Sequence, residues 1–422
     1  MTDFAIAAAG MGELERGALW DRLRPGRPSD DLELTARVVW SVLAEPGDGL
    51  AGRLVAELGA AASLRLVFRG APFPSAAEAR REAAVVAAAV HAAYGERGLE
   101  PPAGVRAGFL RWQPRMLGEL VGSVFKMAAV SATELIVPDD PQWSPGFMGL
   151  GDHAPLLLWA LGNVELLAGF EHAVAMVGTR AATGYGTHVA TEFAAELVER
   201  GWTVVSGGAY GIDAASHRAA LAAKGHTIAV MAGGLHGFYP AGNVELIARI
   251  AREGLVVAEV PFGTPPTPFR FLARNRMIAA MTSATVVVEA GSRSGSINTA
   301  NHASALGRPI GAVPGPITSP SSAGCHQLLR QHRAEVAESV DDIVRIAHGE
   351  QEVEPEPLAD PEDPRFGRVL TALSGRTPRS VATVAARSGM GEGETAGLLG
   401  VLLLDGVARK TDDGWVSVRR KG

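Results

Sequence analysis

The residues of this chain with the types and spacing for chemistry stand where short apolar runs stop. In "AMVGTRAATGYGTH", positions 175–188, the run breaks into Gly178, Thr179 and Arg180, and Gly184, Tyr185 and Gly186 follow as a helical pattern begins near Tyr185. Glycine lets a ligand approach the backbone, a guanidinium offers a planar fork of donors, and a new helix N-terminus presents unpaired N–H groups. Such a set holds an anion. "SGGAYGIDAASH", 206–217, repeats the design with Ser206, Gly207, Gly208 and Gly211 ahead of another helix, and "EAGSRSGSINTA", 289–300, repeats it with Arg293, Ser294, Gly295 and Ser296. One glycine-rich turn is usually only a turn; three at successive strand ends, two with arginine, point to a phosphate-binding rim. "FRFLARNRMIAAM", 269–281, adds Arg270, Arg274, Asn275 and Arg276 on and before a predicted helix. Arg274 and Arg276, two apart, face different directions and line a track rather than grip one phosphate. One of these three arginines is expected to buttress the sheet edge instead.

What the chain lacks narrows the chemistry. No GxxxxGKS or GxxxxGKT run seats ATP, and no GxGxxG follows a strand to mark a dinucleotide site. Asp213 and His217, four apart, have the spacing of an acid/base couple, but an acid so early in a helix is expected to pin the helix terminus. Glu289, at a strand end beside arginines, is expected to organise ion pairs. Cys325 is the sole cysteine and no Cys/His cluster has zinc spacing, so no disulfide, metal or other cofactor is expected.

The elements that carry these motifs follow from the texture of the chain. Over 131–349, "HAVAMVG", "TVVSGG", "TIAVMAGG", "LVVAEV", "TVVVEAG" and "PIGAVPG" alternate with amphipathic stretches. Between the first two, Tyr185, Val189, Phe193 and Leu197, with Ala190, Ala194 and Val198, mark one helix face. This order predicts an α/β domain with a mostly parallel sheet and ligands at the carboxyl ends of its strands. Residues 1–130, rich in Ala, Leu, Arg and Glu, place helical apolar spacing on both sides of Pro46-Gly47-Asp48, which predicts a helical domain without chemistry of its own. Residues 350–363, with seven acids and no base, predict a solvated linker. Residues 364–422 read helix, helix, longer helix, then two short strands, the order of a winged helix-turn-helix. Bases outnumber acids there, which suits DNA, whereas the third helix offers Glu392, Glu394 and Asp405 and no base, which suits docking to a protein.

At 422 residues two or three domains are expected. The formal charge of −6 argues against a nucleic-acid partner only until its distribution is seen. The linker carries the acidic excess, and between Phe262 and Ala334 seven arginines face Glu289 alone, a local basic surface. The opening "MTDFAIAAAGMGELERG" has no basic n-region and no apolar run is long enough to span a bilayer, so a cytosolic protein off the membrane is expected. Rows of exposed aromatics are not evident, and base stacking is expected to be limited; Phe269 and Phe271, alternating with arginine, are the exceptions, although burial is the commoner fate of phenylalanine.

"VGTRAATGYG", "SGGAYGIDAASHRAAL", "GGLHGFYPAGN", "RNRMIAAM", "EAGSRSGSINTA" and "GRPIGAVPGPITSPSSAGCHQLL", in that order, resemble the core of the DprA/Smf proteins, the DNA-processing proteins of natural transformation, over roughly residues 130–345. More loosely, the N-terminal helices resemble that family's sterile-alpha-motif-like (SAM-like) domain and the tail its winged-helix domain. The resemblance implies an extended Rossmann-like domain that dimerises, binds single-stranded DNA in a basic pocket, shields incoming strands and helps load the RecA recombinase, without enzymatic activity. It puts the pocket on Gly178, Thr179 and Arg180, on Ser206 to Gly208, on Arg274 to Arg276 and on Arg293 to Ser296. Two positions depart: His236 stands where aspartate is common, and Asn301 where arginine is frequent. The rival class is the nucleoside-monophosphate phosphoribohydrolases, whose similar strand ends carry a PGGxGTxxE loop. Here the corresponding "EAGSRSGSINTA" lacks both the Gly-Gly-x-Gly-Thr run and the glutamate.

Overall fold

The Pro46-Gly47-Asp48 break is a helix boundary, because the Asp48 side chain accepts from the N–H groups of Leu50 and Ala51 and so caps the helix that follows. The structure, a computed structural model, describes residues 13–27, 31–69, 73–349, 363–375 and 377–418. Its N-terminal helices are α1 (Glu13–Leu23), α2 (Asp31–Leu43), α3 (Gly49–Leu58), α4 (Ala60–Val67), α5 (Ala76–Glu96), α6 (Val105–Trp112) and α7 (Gly118–Val130). Trp40 and Trp112 meet edge to face at their centre, ring centroids 5.0 Å apart. The same apolar cluster runs on through Trp159, Met231 and Val256 of the sheet, so helices and sheet share a core and residues up to Glu350 form one unit.

That sheet has nine strands: β1 (Glu134–Ile136), β2 (Leu158–Gly162), β3 (Ala173–Gly178), β4 (Thr203–Ser206), β5 (Thr227–Met231), β6 (Leu255–Ala258), β7 (Ala284–Glu289), β8 (Ile310–Ala312) and β9 (Glu335–Val336). β3 to β8 are the six runs read from the sequence. Their Val- and Ile-rich stretches are buried on both faces, as a parallel sheet covered by helices requires. The spatial order is 1-2-6-5-4-3-7-8-9, parallel from β6 to β9, with β1 and β2 antiparallel at one side. The expected α/β fold with a mostly parallel sheet is therefore present. Its crossovers are α8 (Gly184–Glu199), α9 (Ile212–Ala222), α10 (Val244–Glu253), α11 (Pro268–Ala280) and α12 (Gly295–Ala305), followed by α13 (Ala323–Arg330) and α14 (Val340–His348). β4, β5 and β6 wind away from β3 on one side and β7, β8 and β9 on the other, so the order reverses between β3 and β7. Outside the carboxyl ends of those two strands an open α/β sheet leaves a crevice for a ligand.

The acidic stretch 350–362 lies outside the described residues. Beyond it, the described residues from 363 to 418 belong to a second unit, built from α15 (Pro364–Ala372), α16 (Val381–Ser388), α17 (Glu392–Leu404), β10 (Ala408–Thr411) and β11 (Gly414–Ser417). The hairpin closes over Val369, Val384, Leu399 and Leu402 through Trp415.

Candidate functional site

Gly178 ends β3 at a register shift against β7. A Cβ there would collide with the Ile212 side chain and lie 2.9 Å from the Glu289 carbonyl oxygen, so only glycine fits. The Thr179 N–H donates to that carbonyl at 2.7 Å and the Thr179 carbonyl accepts from Ile212 N–H at 3.2 Å, which leaves this peptide no donor for a phosphate. Thr183 caps α8, its Oγ1 accepting from Gly186 N–H at 3.1 Å. The Glu289 carboxylate, in turn, accepts from Thr183 N–H at 2.9 Å and from Thr183 Oγ1 at 2.7 Å. The expected ion-pair role of Glu289 is thus corrected: among the described residues it forms no salt bridge, and it holds the start of α8 as the protein's own anion.

The second motif is a scaffold. Ser206, fully buried, donates through Oγ to the Met176 carbonyl at 2.6 Å. Asp213 Oδ2 accepts from Gly207 N–H at 3.1 Å and Ala209 N–H at 3.3 Å, so the acid pins the turn before its helix. Gly208 takes φ +68° in that turn, and its carbonyl accepts from Asn243 Nδ2 at 3.0 Å. Burial pushes the Asp213 carboxyl up, against the opposing pull of Arg274 and the turn N–H groups. His217 bonds Thr227 Oγ1 at 2.7 Å rather than Asp213, and burial pulls its imidazole down to about 3. No acid/base couple forms.

Thr267, accepting from Arg270 N–H, and Pro268 start α11. Its arginines divide. Arg270 grips Glu45 through Nε and Nη2, both at 2.9 Å, and Arg276 pairs with Glu259 at 2.7 Å while Glu259 also accepts from Gly47 N–H at 3.2 Å. Both tie α11 to the loop before α3 or to the end of β6, so two arginines buttress the fold where one was expected. Arg274, 6% exposed, donates through Nη1 to the carbonyls of Gly207, at 2.8 Å, and Val230, and through Nε to Asn275 Oδ1 at 3.3 Å. Burial pulls its guanidinium down to about 10. The same guanidinium leaves no room for a Cβ at Gly207. Asn275 Nδ2 donates to Gly295 O at 3.3 Å and Asn298 Oδ1 at 3.2 Å, fixing α12 beside α11. Arg308 is likewise engaged, by the carbonyls of Ala279, Thr282 and Gly146. The stretch 262–334 therefore presents less positive surface than its composition suggests.

Between β3, α11 and the start of α12 lies a cleft of about 500 Å³. It brings together Gly178, Arg180, Arg274, Asn275, Arg293, Ser294, Gly295 and Ser296, with Phe271, Leu272, Ile278 and Asp213 on its walls. Thr179, Ser206, Gly207, Gly208, Arg270 and Arg276 do not line it. Arg180 and Arg293 are exposed and, among the described residues, have no carboxylate partner. The Arg180 guanidinium stands 5.0 Å over the Phe271 ring. Ser294 caps α12 by accepting from Ser296 N–H, and Gly295 opens the helix at the cleft edge. Two cations without carboxylate partners and a helix N-terminus around one concavity can hold phosphate oxygens.

Sequence reasoning missed Asp213 as a wall and undercounted the aromatics. Tyr185, Tyr210, Tyr239 and Phe269 are 40–57% exposed, and Tyr239 packs on Phe271 with centroids 5.6 Å apart. Tyr185 stands at the start of α8, Phe269 at the start of α11, and Tyr210 and Tyr239 in loops, so no row was visible in the chain. The two departures from the family pattern have local partners: His236 Nδ1 accepts from Gly263 N–H at 3.0 Å, and Asn301 Oδ1 accepts from Arg333 at 2.8 Å.

Residues 134–348 match the family described as DNA recombination-mediator protein A. A Mycobacterium tuberculosis protein that carries the DprA name is 48% identical over 300 residues, 68% of this chain and 77% of that protein. The DNA processing protein DprA of Streptococcus pneumoniae is 41% identical over 191 residues, 45% of this chain and 66% of its own length. An X-ray structure of DprA from Streptococcus pneumoniae superposes with TM-score 0.56 at 27% identity, covering 74% of this chain and 96% of that one.

Proposed function

The chain belongs to the DNA recombination-mediator protein A family, the DprA/Smf proteins, and from that premise we propose that it binds single-stranded DNA in the switch-point cleft and serves DNA uptake and homologous recombination without catalysing a reaction. One observation carries the reading: Arg180 and Arg293, exposed and without carboxylate partners among the described residues, flank a concavity where the strand order reverses. Phosphates of a flexible strand can follow the cleft from one guanidinium to the other past the α12 N-terminus, and release of counterions then supplies most of the affinity. Arg274 is the third donor, set on the floor. Arg270 and Arg276 serve by holding α11, and Ser206 to Gly208 by shaping the turn under Arg274.

In this reading the protein shields incoming strands and assists loading of the RecA recombinase as a cytoplasmic homodimer. The N-terminal helices are its SAM-like domain and the last unit its winged-helix domain, docking a protein through α17, whose first turn carries Glu392 and Glu394. No helix among the described residues is long and apolar enough to cross a membrane. The phosphoribohydrolase alternative loses its support: Glu289 is engaged by Thr183, and Asp213 by its own turn.

The test is a salt titration of binding to a fluorescent single-stranded oligonucleotide beside a duplex and a mononucleotide. Tight, steeply salt-dependent binding of the single strand alone supports the reading. Preference for the mononucleotide, with release of free base, replaces it with an enzyme.

A further inference from the structure

A second concavity, of about 830 Å³, opens between the loop before α3, the last turn of α6 and residues 152–153. That volume is within the range of ligand sites. Phe269, at the start of α11, belongs to its lining, whereas Phe271 and Leu272, just beyond it in the chain, belong to the switch-point cleft. The two cavities share no lining residue.

The lining is balanced in charge, with Glu45, Asp48 and Asp152 against Arg53, Arg111 and Arg115. A phosphodiester strand, charged at every nucleotide, would meet those carboxylates as well as the arginines, so nucleic acid gains little here. Two of the acids are filled. Asp48 accepts from the N–H groups of Leu50 and Ala51, from Trp112 Nε1 at 2.9 Å and from Arg111 Nη2 at 3.1 Å. Glu45 accepts from Arg115 Nη2 at 2.6 Å and from Arg270 Nε and Nη2, both at 2.9 Å. Donors remain. Arg111, its side chain 55% exposed, engages only Nη2, and Arg53 engages Nε with Glu57 and Nη2 with the Glu100 carbonyl. Among the described residues, Arg111 Nε and Nη1 and Arg53 Nη1 therefore have no partner. His153 donates through Nδ1 to the Gly47 carbonyl at 2.8 Å, which leaves Nε2 as an acceptor. Beside these polar groups stand Leu50, Pro102, Pro114, Leu110 and Phe269, the last two 37% and 57% exposed.

We propose that this cavity docks an extended peptide of a partner protein, in which an aromatic or branched apolar side chain covers Leu110 and Phe269 and an adjacent carboxylate takes the unpaired donors of Arg111. The peptide backbone presents carbonyls to Arg53 Nη1 and an N–H to His153 Nε2. Apolar contact with a single anion suits a lining balanced in charge, where a polyanion does not. The bound peptide lies against the start of α11, whose following residues wall the switch-point cleft, so the partner is held beside whatever strand that cleft binds. The docking itself does not depend on the DNA reading.

In the experiment the full chain is immobilised and panned against a phage-displayed library of random dodecapeptides, and enriched sequences are synthesised with a fluorophore and titrated by anisotropy. An apolar residue next to Asp or Glu should be enriched. Arg111→Gln and Leu110→Glu should each weaken the enriched peptide by roughly tenfold or more, at an unchanged melting temperature. Both variants should keep the parent's oligonucleotide affinity and salt slope. A benzophenone placed on the enriched peptide should attach to residues 102–115 or 152–153, which decides the site even where a variant does not fold. No enrichment, a consensus without an acid, attachment only elsewhere, or parental peptide affinity in both folded variants overturns the inference. A lowered oligonucleotide salt slope in these variants also overturns it, since nucleic acid would then occupy the cavity. Failure of the parent chain to bind an oligonucleotide while it still binds the peptide overturns the DNA reading and leaves this inference standing.

Discussion

Replacing Arg180 by alanine removes a guanidinium that rests on the Phe271 ring, is exposed, and has no carboxylate partner among the described residues. Its structural contribution is small: an exposed cation–π interaction is worth about 0.5–1 kcal/mol, and its removal is partly offset by relief of repulsion on Arg274. The melting temperature should stay nearly constant. Binding should not. A charge-assisted hydrogen bond to a phosphate contributes about 1.5–3 kcal/mol, which is on the order of 10- to 150-fold in the dissociation constant. The slope of log affinity against log salt should also fall by roughly 0.7 for each phosphate that the variant no longer neutralises. The weakening should be uniform across base sequences, and Arg180→Lys should recover only part of it, because an ammonium keeps the charge without the fork. Fluorescence anisotropy from low to high salt, with a thermal melt of each variant, measures all of this. Parental affinity and slope in Arg180→Ala, or a loss of binding that only accompanies loss of fold, would show that the loop after β3 is a structural turn.

Three further outcomes follow from the same geometry. Arg276→Ala leaves the half-buried Glu259 with the Gly47 N–H but without its ion-pair partner and should destabilise the fold by about 3 kcal/mol or less in denaturant unfolding, with the salt slope of the remaining binding unchanged. His217, held near 3 when folded and near 6.5 when unfolded, takes up its proton more readily in the unfolded chain. Its burial therefore costs nothing above pH 6.5 and removes up to about 1.4 kcal/mol of stability per pH unit as pH falls from there toward 3, a component that unfolding of His217→Gln across the same range should lack. A chain truncated after Gly349 should stay folded by circular dichroism and keep most single-strand binding, since residues up to Glu350 form one unit; abolished binding with an intact fold would move the DNA to the last unit.

The sheet was legible where strands are buried on both faces, because β3 to β8 are short apolar runs closed by glycine or proline. β1, β2 and β9 were not. β1 has three residues and β9 two, too few for a pattern, and β2 pairs antiparallel beyond the parallel set. Glycine spacing located the cleft, since Gly178 and Gly295 stand at it. What spacing could not assign was the partner of each cation. Arg270 finds Glu45, 225 positions away, and Arg308 finds the carbonyl of Gly146, so neither is distinguishable in the sequence from Arg180 or Arg293, which find no carboxylate among the described residues. Tyr185 illustrates the same limit on a smaller scale: it continues the apolar face of α8, yet it is 40% exposed and donates its hydroxyl to the Pro314 carbonyl at 2.6 Å.

Photo-crosslinking of the full chain to a single-stranded oligonucleotide, followed by mass spectrometric mapping of the attached peptides, tests the placement of DNA most directly. The crosslinks should fall on peptides holding residues 178–186, 268–275 and 291–297, and they should fade as salt rises. Crosslinks confined to residues beyond 363, or to the helices before residue 130, would contradict a site at the reversal between β3 and β7.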